Sequence, residues 1–110
     1  QGCTYCTAHS SYGASQLGVD VEKINAVFEF ETSPLFTDAE RAVLRVAWHG
    51  ALQPSAVTDD DFEALKSHFS EREIVEIVAV LSLYGFLNRW NGTLQTELEP
   101  APAAFAASLS

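Results

Sequence analysis

Apolar residues recur at helical spacing through most of the chain, and polar starts punctuate them. After Thr37, the residues Ala39, Val43, Val46, Ala47 and Gly50 share one side of a helix, a stripe of the kind that faces a core. Thr37-Asp38-Ala39-Glu40 and Ser70-Glu71-Arg72-Glu73 both fit the capping box, in which N-cap and N3 side chains bond each other's backbone amides. Thr58-Asp59-Asp60-Asp61 is a weaker start, its acidic first turn suited to the positive end of the helix dipole. Asp20 before Val21 is a further N-cap candidate. The pattern predicts helices over residues 4–17, 21–30, 38–52, 59–69 and 71–91. Gly18 is placed to end the first, Ser33-Pro34 separates the second from the third, and Pro54 stops the third.

No segment alternates with period two for long, so the fold class is all-α. The expected organisation is one domain over residues 1–99 and an Ala/Pro-rich tail over 100–110, read as a loosely packed extension. The last predicted helix differs from the others. From Ile77 to Leu87 only Ser82 and Tyr84 offer a polar side-chain atom, so it must be central to the domain or covered by another subunit. Association of symmetric copies into a homo-oligomer is therefore expected.

Composition narrows the partners. The 110 residues carry 15 acidic and 6 basic side chains, a formal net charge of −9. Nucleic acid is disfavoured, because the phosphate backbone is bound by clustered Lys and Arg, and so is an anionic membrane surface. Hydrophobic residues make up 47%, which points to a folded domain. The apolar run from Ile74 to Leu87 is too short to span a bilayer and carries Glu76. No secretory or transit signal is visible, and a cytoplasmic location is expected. The chain begins at Gln1 rather than a methionine, which reads as a processed or incomplete polypeptide.

The chemistry sits in CTYCTAH, residues 3 to 9. Only the thiolate of a cysteine is nucleophilic, and a helix N-terminus stabilises negative sulfur. On a helix Cys3, Cys6 and His9 follow one another along one face, which brings His9 within reach of Cys6 as a general base. Two cysteines three apart can also close a local disulfide, resolving an oxidised sulfur before it proceeds to irreversible acids. Three other readings stand beside redox chemistry. Zinc requires a tetrahedral set, and His49 and His68 lie outside any recognisable ligand spacing. A structural disulfide here closes too small a loop to restrain much of the unfolded chain. Inert thiols packed as small hydrophobes are the third. Redox chemistry is the favoured reading.

CTYCTAH followed by Ser10 resembles the active-site segment of the alkyl hydroperoxidase D-like, carboxymuconolactone decarboxylase-like superfamily. FTDAERAVLRVAW, VTDDDFEALKSHFSEREIVEIV and LYGFLNRWNGTLQTELE are similar to the run typical of its peroxidase-related members. The resemblance implies a helical bundle lacking its N-terminal helices, and a thiol peroxidase activity. It implies that Cys6 attacks the peroxide and becomes a sulfenic acid, that Cys3 is proton donor and resolving partner, and that His9 serves in a proton relay. The best-known relay histidine of the family sits where this chain has Ser10, so Ser10 is expected to share the relay through a water. The family's relay glutamate lies upstream of the first cysteine, before this sequence begins; a second chain carrying that N-terminal part is one expected source. Tyr5 matches the family pattern and is expected to line the pocket over the sulfur.

The implied chemistry uses a hydroperoxide substrate, no metal or organic cofactor, and an external reductant that is thioredoxin-like or lipoyl-bearing. The common physical premise is that the Cys6 thiol ionises readily, favoured by a helix terminus and a neighbouring imidazole. Alternatives are a decarboxylase or isomerase of the same superfamily and a non-catalytic dithiol sensor or scaffold. Among other residues, His49 is a lesser candidate for the site and His68 a surface residue at a helix end. Arg89, after Asn88, complements a helix C-terminus or meets a buried carboxylate. Asn91-Gly92-Thr93 is a chance glycosylation sequon.

Overall fold

A helix begins where a side chain can take over the first unpaired amides, and three of the predicted starts do this fully. The computed structural model describes residues 3–109; the chain start at Gln1, with Gly2, and the final Ser110 lie outside the described residues. Thr37 opens α3 (Asp38–Gly50), Thr58 opens α4 (Asp59–Lys66) and Ser70 opens α5 (Glu71–Leu94), each with both bonds of the capping box. The start read as weak is thus complete: Asp61 supplies the returning carboxylate at Thr58. Asp20 precedes α2 (Val21–Asn25) but makes no side-chain cap bond.

Without that bond α2 is short and passes into a 3-10 turn at Val27–Glu29, where one helix over 21–30 was expected. The following segment is held by α3 instead. Arg41 donates to the backbone carbonyls of Phe30 and Ser33 at 3.0 and 2.7 Å. Arg45 clamps the Glu31 carboxylate with two bonds of 2.7 and 2.5 Å. Lys23 reaches Glu40 at 2.6 Å, tying α2 to the cap of α3.

Among the described residues every regular element is helical. Ala42 and Val46 of α3 meet Leu65 of α4 and Ile74 of α5 in the buried core, with Val43, Phe62 and Ile77 packed around it. Leu65 is fully buried, and a side chain of that size contributes roughly 1.5–3 kcal/mol when removed from water. Gly50 marks the close approach of α3 to α5, since a Cβ there would stand 2.6 Å from Leu81 Cδ2.

The long helix α5 is not the central one of this chain. Val75, Val80, Leu83, Phe86 and Trp90 all stand more than half exposed, and only Ile74 and Asn91 are buried. The segment read as a loose tail is a helix, α6 (Pro100–Ser108), packed along α1 (Thr4–Gln16). Proline is compatible with the first turn of a helix, where an amide donor is not needed, so Pro100 and Pro102 start α6 and do not break it. Alanine, the strongest helix former, fills much of the rest. Tyr12 meets Phe105 edge-on with ring centroids 6.0 Å apart, and Pro102 is buried.

Candidate active site

The first turn of α1 carries both sulfurs. Cys3 is the N-cap, in extended conformation, and its Sγ accepts a hydrogen bond from the Cys6 amide at 3.2 Å. Cys6 lies inside the helix, 7% exposed, while Cys3 is partly exposed. The Cys3 thiol donates to Cys6 Sγ, with 2.6 Å between the sulfurs, so the pair is placed for disulfide closure. From α5, the buried Asn91 directs its amide Nδ2 to Cys6 Sγ at 3.8 Å. Thr96 donates to Asn91 Oδ1 at 2.7 Å and so fixes which way that amide points. The left-handed cap at Gln95 turns the chain to bring Thr96 back onto Asn91.

The premise of a readily ionised Cys6 is not met. Burial pushes this thiol above the ordinary cysteine range, and its bond to Cys3 pushes the same way; the Asn91 amide opposes them. Nor does His9 act on it directly. The ring nitrogen Nε2 of His9 bonds the carboxylate of Glu99, the residue that precedes α6. Glu99 also accepts from the Tyr5 hydroxyl at 3.1 Å, and the Tyr5 and His9 rings lie 4.4 Å apart. Partial burial and the Glu99 carboxylate hold the Tyr5 phenol above its usual range. The backbone amide at Glu99, then His9, keep that carboxyl below its usual range.

Tyr5 and His9 therefore stand together beside the dithiol, joined by an acid from the other end of the chain. Ser10 does not join them: its hydroxyl donates to its own helix, at Cys6 O and Thr7 O, 2.7 and 3.3 Å away. His49 is elsewhere, its Nδ1 bonded at 2.6 Å to the buried Asp61. His68 is exposed after the end of α4, edge-on to Phe69. Arg89 is exposed and meets no carboxylate among the described residues. Its side chain lines a cleft of about 890 Å³ between the end of α3 and α5, which the two cysteines do not line. Among the described residues no three His, Cys, Asp or Glu side chains gather as metal ligands.

Asn91, Thr96 and Glu99 were not anticipated. Asn91 was legible only as a sequon, although its folded side chain is buried against sulfur. A weak signal existed for two of them: Asn91 is a poor helix former inside an apolar helix, and Glu99 is an acid directly before Pro100.

No family model matches the chain. It is 28% identical over 92 residues to the uncharacterized protein YnjA of Escherichia coli (strain K12), covering 84% of this chain and 50% of YnjA. It therefore spans about half the length of that curated relative. Among solved structures it is similar to the debrominase Bmp8, at a TM-score of 0.90 and 37% identity over 99% of this chain and 59% of Bmp8. Bmp8 has also been solved in complex with 2,3,4-tribromopyrrole. A further likeness is to ATU0492 of Agrobacterium tumefaciens, a protein of unknown function proposed to be the antioxidant defence protein AhpD. That match has a TM-score of 0.78 and 27% identity over 90% of this chain and 68% of the other. The chain thus has an all-α fold of the AhpD-like type.

Proposed function

We propose that this chain belongs to a dithiol-dependent oxidoreductase that reduces hydroperoxides. The observation that carries the reading is the sulfur pair on the first turn of α1, 2.6 Å apart, one sulfur accessible and the other buried. One sulfur attacks the terminal peroxide oxygen, the O–O bond breaks, and the alkoxide leaves as alcohol once protonated. The oxidised sulfur is a sulfenic acid. The second thiol displaces its hydroxyl as water and closes the disulfide, and an external dithiol, thioredoxin-like or lipoyl-bearing, returns both electrons. Tyr5 and His9, held by Glu99, are the neighbouring groups able to pass a proton to the leaving oxygen.

A second reading follows from the likeness to Bmp8. The same dithiol would take a bromine from an electron-rich aromatic ring: the C–Br bond breaks with its electron pair left on the ring carbon, which takes a proton, and the sulfenyl bromide so formed is resolved by the second thiol to a disulfide, bromide and a proton. Both readings use two electrons from one cysteine pair. The active assembly is proposed to be a homo-oligomer in which a second copy covers the bare apolar face of α5.

The test is turnover of cumene hydroperoxide and of a bromopyrrole by the full-length protein with excess dithiol reductant. Many turnovers with the peroxide support the first reading, and bromide release supports the second. A single stoichiometric thiol oxidation with neither product in excess overturns both and leaves a redox sensor.

A further inference from the structure

Resting on that reading, we propose that Asn91 is a catalytic residue whose side-chain amide holds the anion of the Cys6 sulfur, and that Thr96 is the positioning residue that keeps the N–H side of this amide turned toward it. The long helix α5 carries Asn91 into the interior, 9% exposed, with Nδ2 3.8 Å from a sulfur that is itself 7% exposed. A buried sulfur is cut off from water when it becomes negative, so a donor built into the protein has to take water's place. A carboxamide has donors at one end and an acceptor at the other, and the acceptor end would repel an anion. Thr96 decides between them: its hydroxyl donates to Asn91 Oδ1 at 2.7 Å, which leaves Nδ2 for the sulfur. The left-handed Gln95, at a φ of 52°, and the Thr96 amide bonded back to Asn91 O at 3.3 Å set the place of Thr96 in turn. Cys3 also donates to the Cys6 sulfur, but it is consumed when the disulfide closes. Tyr5 and His9 are engaged by Glu99 instead. Burial raises the Cys6 thiol and the Cys3 contact adds to this, whereas the bond from Asn91 opposes both.

In the chemical step Cys6 sheds its proton, its sulfur bonds to the terminal oxygen of ROOH, and the O–O bond breaks with its electrons on RO⁻. The proton shed by Cys6 completes ROH, and Cys6 is left as a sulfenic acid, oxidised by two electrons. A hydrogen bond to an ionised acceptor is roughly twice as strong as one to a neutral acceptor. The Asn91 amide therefore favours the thiolate over the thiol and raises the fraction of Cys6 able to attack at a given pH.

Two measurements test the pair. In the reduced, full-length protein the Asn91 side-chain amide resonances are followed as pH rises, while Cys6 alkylation by iodoacetamide is mapped by mass spectrometry over the same range. One Nδ2 proton is expected to move downfield at the midpoint of Cys6 alkylation, and amide protons that stay still through that midpoint overturn the proposal. Thr96→Val then removes the hydroxyl at nearly constant shape. At neutral pH it should slow Cys6 alkylation about three- to tenfold and move the midpoint upward. At alkaline pH the deficit should vanish or reverse, because the more basic thiolate is the better nucleophile. Thr96→Ser should restore the wild-type profile. A wild-type profile in Thr96→Val, a deficit that persists at every pH, or no rescue by serine overturns the role of Thr96; should the valine variant not fold, the wild-type titration decides. Neither measurement uses a peroxide. A protein inert to hydroperoxide that gives the expected profiles keeps the amide as support of the Cys6 anion while losing the peroxidase reading.

Discussion

Glu99 and His9, ninety positions apart, share a hydrogen bond that joins the segment before α6 to α1 beside the dithiol. The carboxylate that meets His9 comes from the residue that precedes α6. Because Glu99 also receives the Tyr5 hydroxyl, a single side chain orients both polar groups on this part of α1.

The first prediction concerns that carboxylate. Its folded-state titration lies below the usual range, so its contribution is complete above the unfolded value of about 4.3 and is lost as pH falls through the lower folded one. Acidification from about pH 5 downward is therefore expected to loosen α6 from α1. The Phe105 ring resonances, which report its contact with Tyr12, should lose dispersion over that window. In Glu99→Gln this acid-dependent step should be absent.

Asn91 is expected to set the reactivity of Cys6. Replacing it by Leu removes a donor that opposes the effect of burial on that thiol, so Cys6 should become harder to ionise. In a Cys3→Ser background, alkylation of Cys6 at fixed pH should slow by about three- to tenfold. An unchanged rate would show that the amide does not stabilise the anion.

Asp61 tests the stability of the other half of the molecule. Its carboxylate closes the capping box of α4 and bonds His49 while almost fully buried. Asp61→Ala should destabilise the fold by about 1–3 kcal/mol, seen as a lower urea midpoint. The Thr58 amide, then His49, hold its carboxyl below the usual range. Its stabilisation is thus complete above about pH 4 and lost as pH falls through the folded value. The wild type should weaken in acid more steeply than Asp61→Ala.

The sequence was readable where the determinants were local. Thr37, Thr58 and Ser70 each start a helix through residues three positions away, and Gly18 ends α1 at a φ of 96° that glycine tolerates best. The CTYCTAH segment was legible for the same reason, since its spacing alone puts both sulfurs on one turn. What stayed hidden depends on contacts distant in sequence. Nothing near Glu99 says that it will meet His9, and nothing near Asn91 says that its amide will face Cys6. The ionisation of Cys6 was misjudged for a related cause: the helix terminus is visible in sequence, whereas burial by α5 is not. The segment 100–110 reads as a loose tail because the place of Pro100 and Pro102 in a first turn becomes apparent only once α6 has formed.

The division of packing among the helices has one more consequence. α1 rests on α6, α3 rests on α4, and α5 runs past both pairs as the shared beam. Sub-global opening of the α1–α6 pair, with α3 and α4 still closed, is the expected excursion, and it should cost less than complete unfolding in native-state hydrogen exchange. Such breathing would uncover the Cys6 sulfur, which Asn91 of α5 otherwise meets.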